Sequence, residues 1–142
     1  MKDPLDHLPH GPEFRFLDRL TSLEKGVSGT GEYTLTGKES FLRGHFPGNP
    51  LLPGVILVEA GAQLAGTVAQ ADERQRPLAN LKLTAIRSAK ITGSARPGET
   101  VVLVAHVTGR MGGLVSAEVT ATVNGRLVLQ CGLTLAGDCT GG

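Results

Sequence analysis

The residues with the clearest chemical potential lie in one stretch, GHFPGNPLLPGVILVEAGAQ, at positions 44–63. His45 is surrounded by glycines and prolines, which restrict the backbone and can hold an imidazole in one orientation. Glu59 follows in a run of aliphatic residues, where burial favours the uncharged acid and raises its pKa. An imidazole that accepts a proton and a carboxylic acid that donates one form an acid–base pair.

Gly54 adds a third chemical group, because it is expected to begin a helix after Pro53. The first amides of a helix have no intrahelical acceptor, and a residue without a Cβ lets a ligand come close. A carbonyl oxygen placed there would accept a hydrogen bond at the positive end of the helix dipole. Base, acid and amide together suit removal of a proton next to a carbonyl, with loss or gain of water.

Each of these residues also has an ordinary interpretation. A single histidine in a loop is more often structural than catalytic, and Pro-Gly commonly precedes helices. A glutamate on a helix is usually solvated, but on a buried helix it must be paired, protonated or facing a cavity. For Gln63 two interpretations stay open: a hydrogen bond near Glu59, or a polar group in a helix contact.

The elements that must position these residues begin with a helix from Gly54 to about Gln70. Its apolar residues surround the axis, which predicts a buried helix about 25 Å long. The polar exceptions Glu59, Gln63 and Thr67 recur every four residues and therefore form one stripe.

The remaining chain is predicted to be strands and turns. Residues 14–36 suit one or two strands with bends or bulges at Gly26, Gly29 and Gly31, and the breakers in 37–53 predict a shaped loop. Asn124-Gly125 is a strong hairpin signal. The predicted strands are 81–92, 100–108, 114–123 and 126–136, separated by a charged turn at 71–80 and by turns at 95–99 and 109–113.

Alternation in the last two strands predicts one buried face on each. The predicted inward residues are Val115, Ala117, Val119, Ala121 and Val123 on the first, and Leu127, Leu129, Cys131, Leu133 and Leu135 on the second. Hairpins make the sheet antiparallel, and the helix is the one element large enough to cover it. We therefore predict an α+β fold in which an antiparallel β-sheet wraps around one long central α-helix. It forms a single domain over 1–142, with an N-terminal arm at 1–13 and a flexible C-terminal tip at 137–142.

Composition narrows the possible functions. The 142 residues are 40% hydrophobic and 19% charged, with a formal net charge of +1. This charge argues against nucleic acid or an anionic membrane as partner. Cys131 and Cys139 lack metal-ligand companions and are too few for a disulfide framework, so we predict no metal and a reducing compartment. With no signal peptide and no apolar run long enough for a bilayer, we expect a soluble, cytoplasmic protein.

The stretch GHFPGNPLLPGVILVEAGAQLAG at 44–66 closely resembles the signature of the beta-hydroxyacyl-(acyl carrier protein) dehydratases of type II fatty acid synthesis, the short single-domain class. Three further segments are similar to parts of that family: LPHGPEFRFLDRL at 8–20, ARPGE at 95–99 and SAEVTATVNGRLVLQCGLTLA at 116–136. The resemblance therefore covers most of the chain.

The resemblance implies a hotdog fold and a homodimer that can assemble further into a trimer of dimers. It implies that His45 of one copy faces Glu59 of the other, with His45 removing the C2 proton and Glu59 assisting departure of the 3-hydroxyl. The Gly54 N–H would bind the thioester carbonyl. The product would be a trans-2-enoyl thioester, in fatty acid or related lipid or polyketide biosynthesis.

The resemblance further implies that no metal or organic cofactor is needed, that acyl carrier protein is the partner, and that a cis peptide joins His45 to Phe46. Beside the catalytic pair, we expect Phe46, Pro53, Val55 and Gln63 to contact substrate. Candidate residues for docking the acidic carrier are Arg43, Arg74, Arg76, Arg87, Lys90 and Arg96, each of which can equally be an ordinary solvated charge.

Several positions depart from the family pattern. Around Glu13 and Arg15 the family is usually apolar or proline-bearing. Arg87 replaces a common acidic residue, Ile91 replaces a common aromatic, and Gly61 replaces a larger apolar residue, which would widen the cavity beside Glu59. Two other functions remain open, because hotdog folds host several activities. One is an acyl-thioesterase, and the other is a non-catalytic subunit that binds acyl chains.

Overall fold

The computed structural model of the protein describes residues 4–8, 14–42 and 51–139. Two short 3₁₀ helices, Pro4–His7 and Ser40–Leu42, flank the first two strands. The longer elements are β1 (Arg19–Glu24), β2 (Ser28–Thr34), α1 (Gly54–Gln70), β3 (Leu78–Ile91), β4 (Thr100–Met111), β5 (Leu114–Val123) and β6 (Arg126–Cys139). No helix in these described ranges is long and apolar enough to cross a lipid bilayer.

The six strands form one sheet in the order β1-β2-β4-β5-β6-β3, and every neighbouring pair is antiparallel. The connection through α1 carries the chain from β2 near one edge to β3 at the other. Helix α1 contacts β2, β3, β4, β5 and β6, so it lies across nearly the whole width of the sheet. This confirms the predicted α+β fold with one central helix.

Helix α1 begins and ends where the sequence predicts. The amides of Ile56 and Leu57 donate to the Pro53 carbonyl at its start. All residues from Leu57 to Ala69 are buried except Glu59, as expected for a helix that is apolar on all sides.

Two glycines allow the helix and the sheet to approach closely. A Cβ at Gly29 would lie 2.7 Å from Val68, and one at Gly61 would lie 2.6 Å from Val119. The bends or bulges predicted at Gly26 and Gly31 have counterparts: Gly26 lies in the turn between β1 and β2 with φ of 75°, and the pairing of β1 with β2 shifts between Leu20 and Ser22, opposite Gly31 and Thr30. The prediction is wrong for Gly29, which pairs in register with both β1 and β4. The suggestion that Gly61 widens the cavity beside Glu59 is also wrong, because this glycine faces β5.

The hairpin at Asn124-Gly125 is confirmed. Both residues have positive φ, 52° and 76°, as the type I′ turn of a two-residue hairpin requires. Three predicted element boundaries are wrong by a few residues. Residues 78–80 belong to β3 and not to the preceding turn, β4 continues to Met111, and β6 includes 137–139, which were predicted to begin the flexible tip.

The alternation predicted for β5 is confirmed, since its five inward residues are all buried. On β6 the prediction fails at Leu127, which is 44% exposed, while Val128 is buried. The register shows the reason: Ala121 lies opposite Leu129, but Thr122 lies opposite Leu127. The extra residue makes a β-bulge, which reverses the alternation at that point.

Strand β3 is an irregular edge strand. Its pairing with β6 shifts register three times, and Asn80 and Ser88 have positive φ of 56° and 50°. Within the described ranges no strand pairs with its outer side, and Ile86 and Ile91 are each about half exposed. An exposed edge of this length is a ready site for pairing with another strand.

The C-terminal end of α1 is held by a side chain from the sheet. The guanidinium of Arg110, on β4, donates to the carbonyl oxygen of Ala69 at 3.1 Å and also to that of Arg76. A cation at this end of a helix interacts favourably with the helix dipole. Arg110 therefore satisfies terminal carbonyls and fixes the chain that follows the helix.

We predict that Arg110→Met lowers the free energy of unfolding by about 1–3 kcal/mol, because it removes charged hydrogen bonds from partly buried carbonyls. Urea denaturation measures this change. Arg126→Met is the matched control, since the Arg126 side chain is exposed and makes no hydrogen bond within the described part of the chain. Its effect should stay within about 0.5 kcal/mol, and equal losses in the two variants would contradict the capping role.

Candidate active site

The structure describes five of the seven predicted site residues. Pro53, Gly54, Val55 and Glu59 lie at or near the start of α1, and Gln63 lies in its middle. His45 and Phe46 lie in 43–50, outside the described residues, and so does the predicted cis peptide between them.

The chain on either side of 43–50 is firmly packed. Leu42 and Leu52 are both buried, and the Leu52 amide donates to the Ala95 carbonyl at 2.9 Å. Before Leu42, the Phe41 ring lies 5.8 Å from the Phe16 ring in an edge-to-face arrangement. The points where the chain enters and leaves the segment that carries His45 are therefore fixed by the core.

The polar stripe on α1 faces one cavity. Glu59, Gln63 and Thr67 all line a cavity of about 80 Å³ between the helix, Leu8 and β3. The other lining residues are mostly apolar: Ala62, Gly66, Gln70, Leu81, Lys82, Leu83 and Leu135. Burial raises the pKa of the Glu59 carboxyl above its ordinary value, which favours the protonated acid at this position.

The first turn of α1 presents two backbone donors. Within the described ranges no protein acceptor bonds the amides of Gly54 and Val55. The Ile91 side chain occupies the space that a side chain at position 54 would need, because a Cβ on Gly54 would lie 2.8 Å from it. Because the helix dipole is positive at this end, the two amides can stabilise negative charge on a carbonyl oxygen.

Gln63 has a role that the sequence does not reveal. Its side chain is 2% exposed, its Oε1 accepts from the Phe16 amide at 2.8 Å, and its Nε2 donates to the Phe14 carbonyl at 2.7 Å. The amide therefore holds the backbone of 14–16 against the helix. The structure combines the two interpretations: Gln63 holds segment 14–16 against the helix through two hydrogen bonds, and it lines the same cavity as Glu59. Its predicted contact with substrate stays a prediction.

Gln70, about two turns further along α1, makes the same pair of hydrogen bonds with another backbone segment. Its Nε2 donates to the Leu78 carbonyl at 2.6 Å, and its Oε1 accepts from the Leu78 amide at 2.9 Å. Sequence could suggest that Gln63 and Gln70 are buried polar groups in need of partners. It could not identify those partners, because the partners of Gln63 lie 47 and 49 residues earlier in the chain.

The basic residues proposed for carrier docking do not share one surface. Arg74 and Arg76 follow the C-terminal end of α1, where Arg110 binds the Arg76 carbonyl. Lys90 precedes Ile91, whose side chain reaches Gly54 at the opposite end of the helix. The helix separates the two groups by about 25 Å, and Arg43 lies outside the described residues.

The chain matches the model of the FabA-like domain over residues 8–132. It is 35% identical over 129 residues to a 3-hydroxyacyl-[acyl-carrier-protein] dehydratase FabZ of Listeria welshimeri, covering 91% of this chain and 89% of the relative. It is 36% identical over 131 residues to the protein of the same name from Macrococcus caseolyticus, covering 91% of this chain and 88% of the relative.

Solved structures with similar folds are more distant in sequence. The dehydratase heterocomplex ApeI:P from Xenorhabdus doucetiae matches with a TM-score of 0.81 and 14% identity, covering 99% of this chain and 93% of that chain. Zebra fish thioesterase superfamily member 2 matches with a TM-score of 0.68 and 18% identity, covering 93% and 89%. These likenesses confirm the hotdog fold.

The family model spans most of the chain, and the sequence relatives exceed 30% identity over most of their own length. The chain therefore belongs to the FabA-like hotdog family, among the FabZ-type 3-hydroxyacyl-[acyl-carrier-protein] dehydratases.

Proposed function

We propose that this protein is a hydro-lyase that converts 3-hydroxyacyl thioesters of acyl carrier protein into trans-2-enoyl thioesters, in fatty acid or related lipid or polyketide biosynthesis. The observation that carries the proposal is the placement of Glu59. Its partly buried carboxyl has a raised pKa, faces a cavity, and shares a helix with two amides that can hold a carbonyl oxygen.

The proposed reaction needs one base and one acid. The neutral imidazole of His45 takes a proton from C2, and the electrons of that bond form the C2–C3 double bond. The C3–O bond breaks, Glu59 gives its proton to the departing hydroxyl, and water leaves. As C2 loses its proton, negative charge develops on the thioester oxygen, where the amide of Gly54 stabilises it.

The spacing along α1 suits this substrate. Glu59 lies five positions after Gly54, a rise of about 7.5 Å along the helix axis. A thioester carbonyl and a 3-hydroxyl, with one hydrogen bond at each end, can bridge a gap of this size. The rest of the acyl chain would extend from C4 into the cavity past Gln63, while Phe46, Pro53 and Val55 would contact the thioester end.

We propose that the functional unit is a homodimer built through the edge of β3. In a single chain Val55 is 73% exposed, and Ile86 and Ile91 are 51% and 49% exposed, although all three are apolar. Pairing β3 with its symmetric copy would cover these side chains and extend the sheet across the two-fold axis. Such a dimer would bring His45 of one copy to Glu59 of the other, and dimers could associate further as a trimer of dimers.

The thioester would arrive at the Gly54 end of the helix, and we place the reaction with its carrier in the cytoplasm. A polar groove lined by Leu51, Ser94, Arg96, Glu99 and Arg126 lies at this end, next to the bond between Leu52 and Ala95. Arg96, Arg126 and the nearby Lys90 are suited to an acidic carrier protein. Arg74 and Arg76, at the far end of α1, are less suited to docking.

We predict that the purified protein, given a 3-hydroxyacyl carrier thioester, forms enoyl product without releasing free thiol. His45→Ala and Glu59→Gln should each lower kcat/KM by at least about 10²-fold, because each removes a positioned proton-transfer group. Enoyl absorbance and a thiol reagent, followed in the same reaction, measure both products.

Two matched variants control for the chemical change. His106→Ala and Glu118→Gln remove the same side-chain types from exposed positions on β4 and β5, and they should keep wild-type rates. Release of thiol without enoyl would support a thioesterase instead. Acyl binding with neither product would support a non-catalytic subunit, and wild-type turnover in either catalytic variant would remove that residue from the mechanism.

The raised pKa of Glu59 also predicts a pH-dependent effect on stability. A carboxyl whose pKa is higher in the folded state binds its proton more tightly there, so the wild type loses stability as pH rises through that pKa. Glu59→Gln lacks this loss. The variant should match the wild type near pH 4, where the carboxyl is protonated, and be more stable than the wild type near pH 7.5.

Urea denaturation at the two pH values measures the difference. Glu118→Gln is the control, and its effect should stay within about 0.5 kcal/mol at both pH values. A Glu59→Gln protein that is less stable than the wild type at pH 7.5 would show that ionised Glu59 is stabilised by its surroundings.

A further inference from the structure

The side chain of Gln63 connects the helix that carries Glu59 with the segment before β1. Its amide oxygen and nitrogen bind the backbone of Phe16 and Phe14, at 2.8 and 2.7 Å. These two bonds use one acceptor and one donor of a side chain that is almost completely buried. Buried amides without such partners are unfavourable, so segment 14–16 is held in one position along α1.

Segment 14–16 in turn supports the chain that leads to His45. The Phe16 ring packs edge-to-face against three other rings: Phe14 at 4.9 Å, Phe41 at 5.8 Å and Tyr33 at 6.1 Å. Phe41 and Leu42 are the last described residues before 43–50. The position of Phe16 therefore sets where the chain enters the segment that carries His45.

We infer that Gln63 is a positioning residue for the acid–base pair. It lies one helical turn after Glu59 and, through Phe16 and Phe41, fixes the approach to His45 of the same chain. This role rests on the proposed function, and it holds whichever copy supplies the opposing carboxyl. Displacements of about 1 Å can lower rates by about 10²-fold, so a side chain that touches neither reacting atom can still determine turnover.

Gln70 provides a matched control on the same helix. It makes the same two hydrogen bonds, with the backbone of Leu78 at the start of β3. It has no contact with the Phe16 ring cluster. Replacing each glutamine by methionine removes the same polar groups and keeps a similar side-chain volume, so the two variants differ chiefly in which segment is released.

The experiment compares Gln63→Met and Gln70→Met for kcat, KM, thermal unfolding and amide hydrogen exchange in peptides that cover 41–51. Both variants should lose stability to a similar extent. Gln63→Met should lower kcat about 10- to 100-fold with KM changed less than about threefold, and it should speed exchange in 41–51. Gln70→Met should leave exchange in 41–51 unchanged, and because Gln70 also lines the cavity beside Glu59 it serves as a control for exchange and not for kcat.

If Gln63→Met does not fold, Gln63→Glu replaces it. A protonated glutamate reproduces both bonds, whereas the ionised form cannot donate to the Phe14 carbonyl. Exchange in 41–51 should therefore be close to wild type at low pH and faster than wild type at high pH, when each variant is compared with the wild type at the same pH.

The outcomes separate this inference from the proposed function. A wild-type protein without dehydratase activity would refute the function, and the exchange comparison would still decide whether Gln63 positions the segment. An active wild type whose Gln63→Met variant keeps kcat within twofold, or whose two variants speed exchange in 41–51 equally, would overturn the positioning role.

Discussion

The structure depends on burying one helix that is apolar on nearly every side. Helix α1 contacts five of the six strands, and the sheet must accommodate it at close range. Gly29 and Gly61 allow this approach, since a Cβ at either position would meet a valine on the facing element at less than 3 Å. The same burial removes water from the Glu59 carboxyl and raises its pKa. Burial of the helix therefore both forms the core and raises the pKa of the Glu59 carboxyl.

The few polar side chains on this helix need hydrogen-bond partners, and two of them find those partners in neighbouring backbone segments. Gln63 and Gln70 each bind a backbone segment through both ends of the amide. Between them lies the cavity beside Glu59. Gln63 and Gln70 thus hold the cavity walls in place, and Glu59 on the same helix supplies the acid.

The sequence predicts features that depend on near neighbours. Helix 54–70 follows from its composition and from Pro53, and the Asn124-Gly125 hairpin follows from the φ values that its turn requires. Glu59 could be identified as an unusual carboxyl because its surroundings are local and aliphatic. His45 has no such signal of its own, and its assignment depends on the family resemblance and the proton-transfer chemistry.

Features that depend on distant contacts could not be predicted. The bulge that exposes Leu127 is visible in the register with β5 and not in the alternation of β6. The close approach at Gly61 needs Val119 of the facing strand, and the role of Gln63 needs a backbone segment 47 residues away. In each case the contacting residue is distant in sequence and is brought close only by the fold, so a local sequence pattern cannot predict which residue it is.

The central claim is that an imidazole and a partly buried carboxyl from two copies of the chain form one site. Its most direct test is to co-refold His45→Ala and Glu59→Gln proteins, each nearly inactive, in equal amounts. Half of the dimers would then be mixed, each with one intact site of two, so activity should recover to about a quarter of wild type. Native mass spectrometry would confirm that mixed dimers form. Mixed dimers without recovered activity would contradict the shared site.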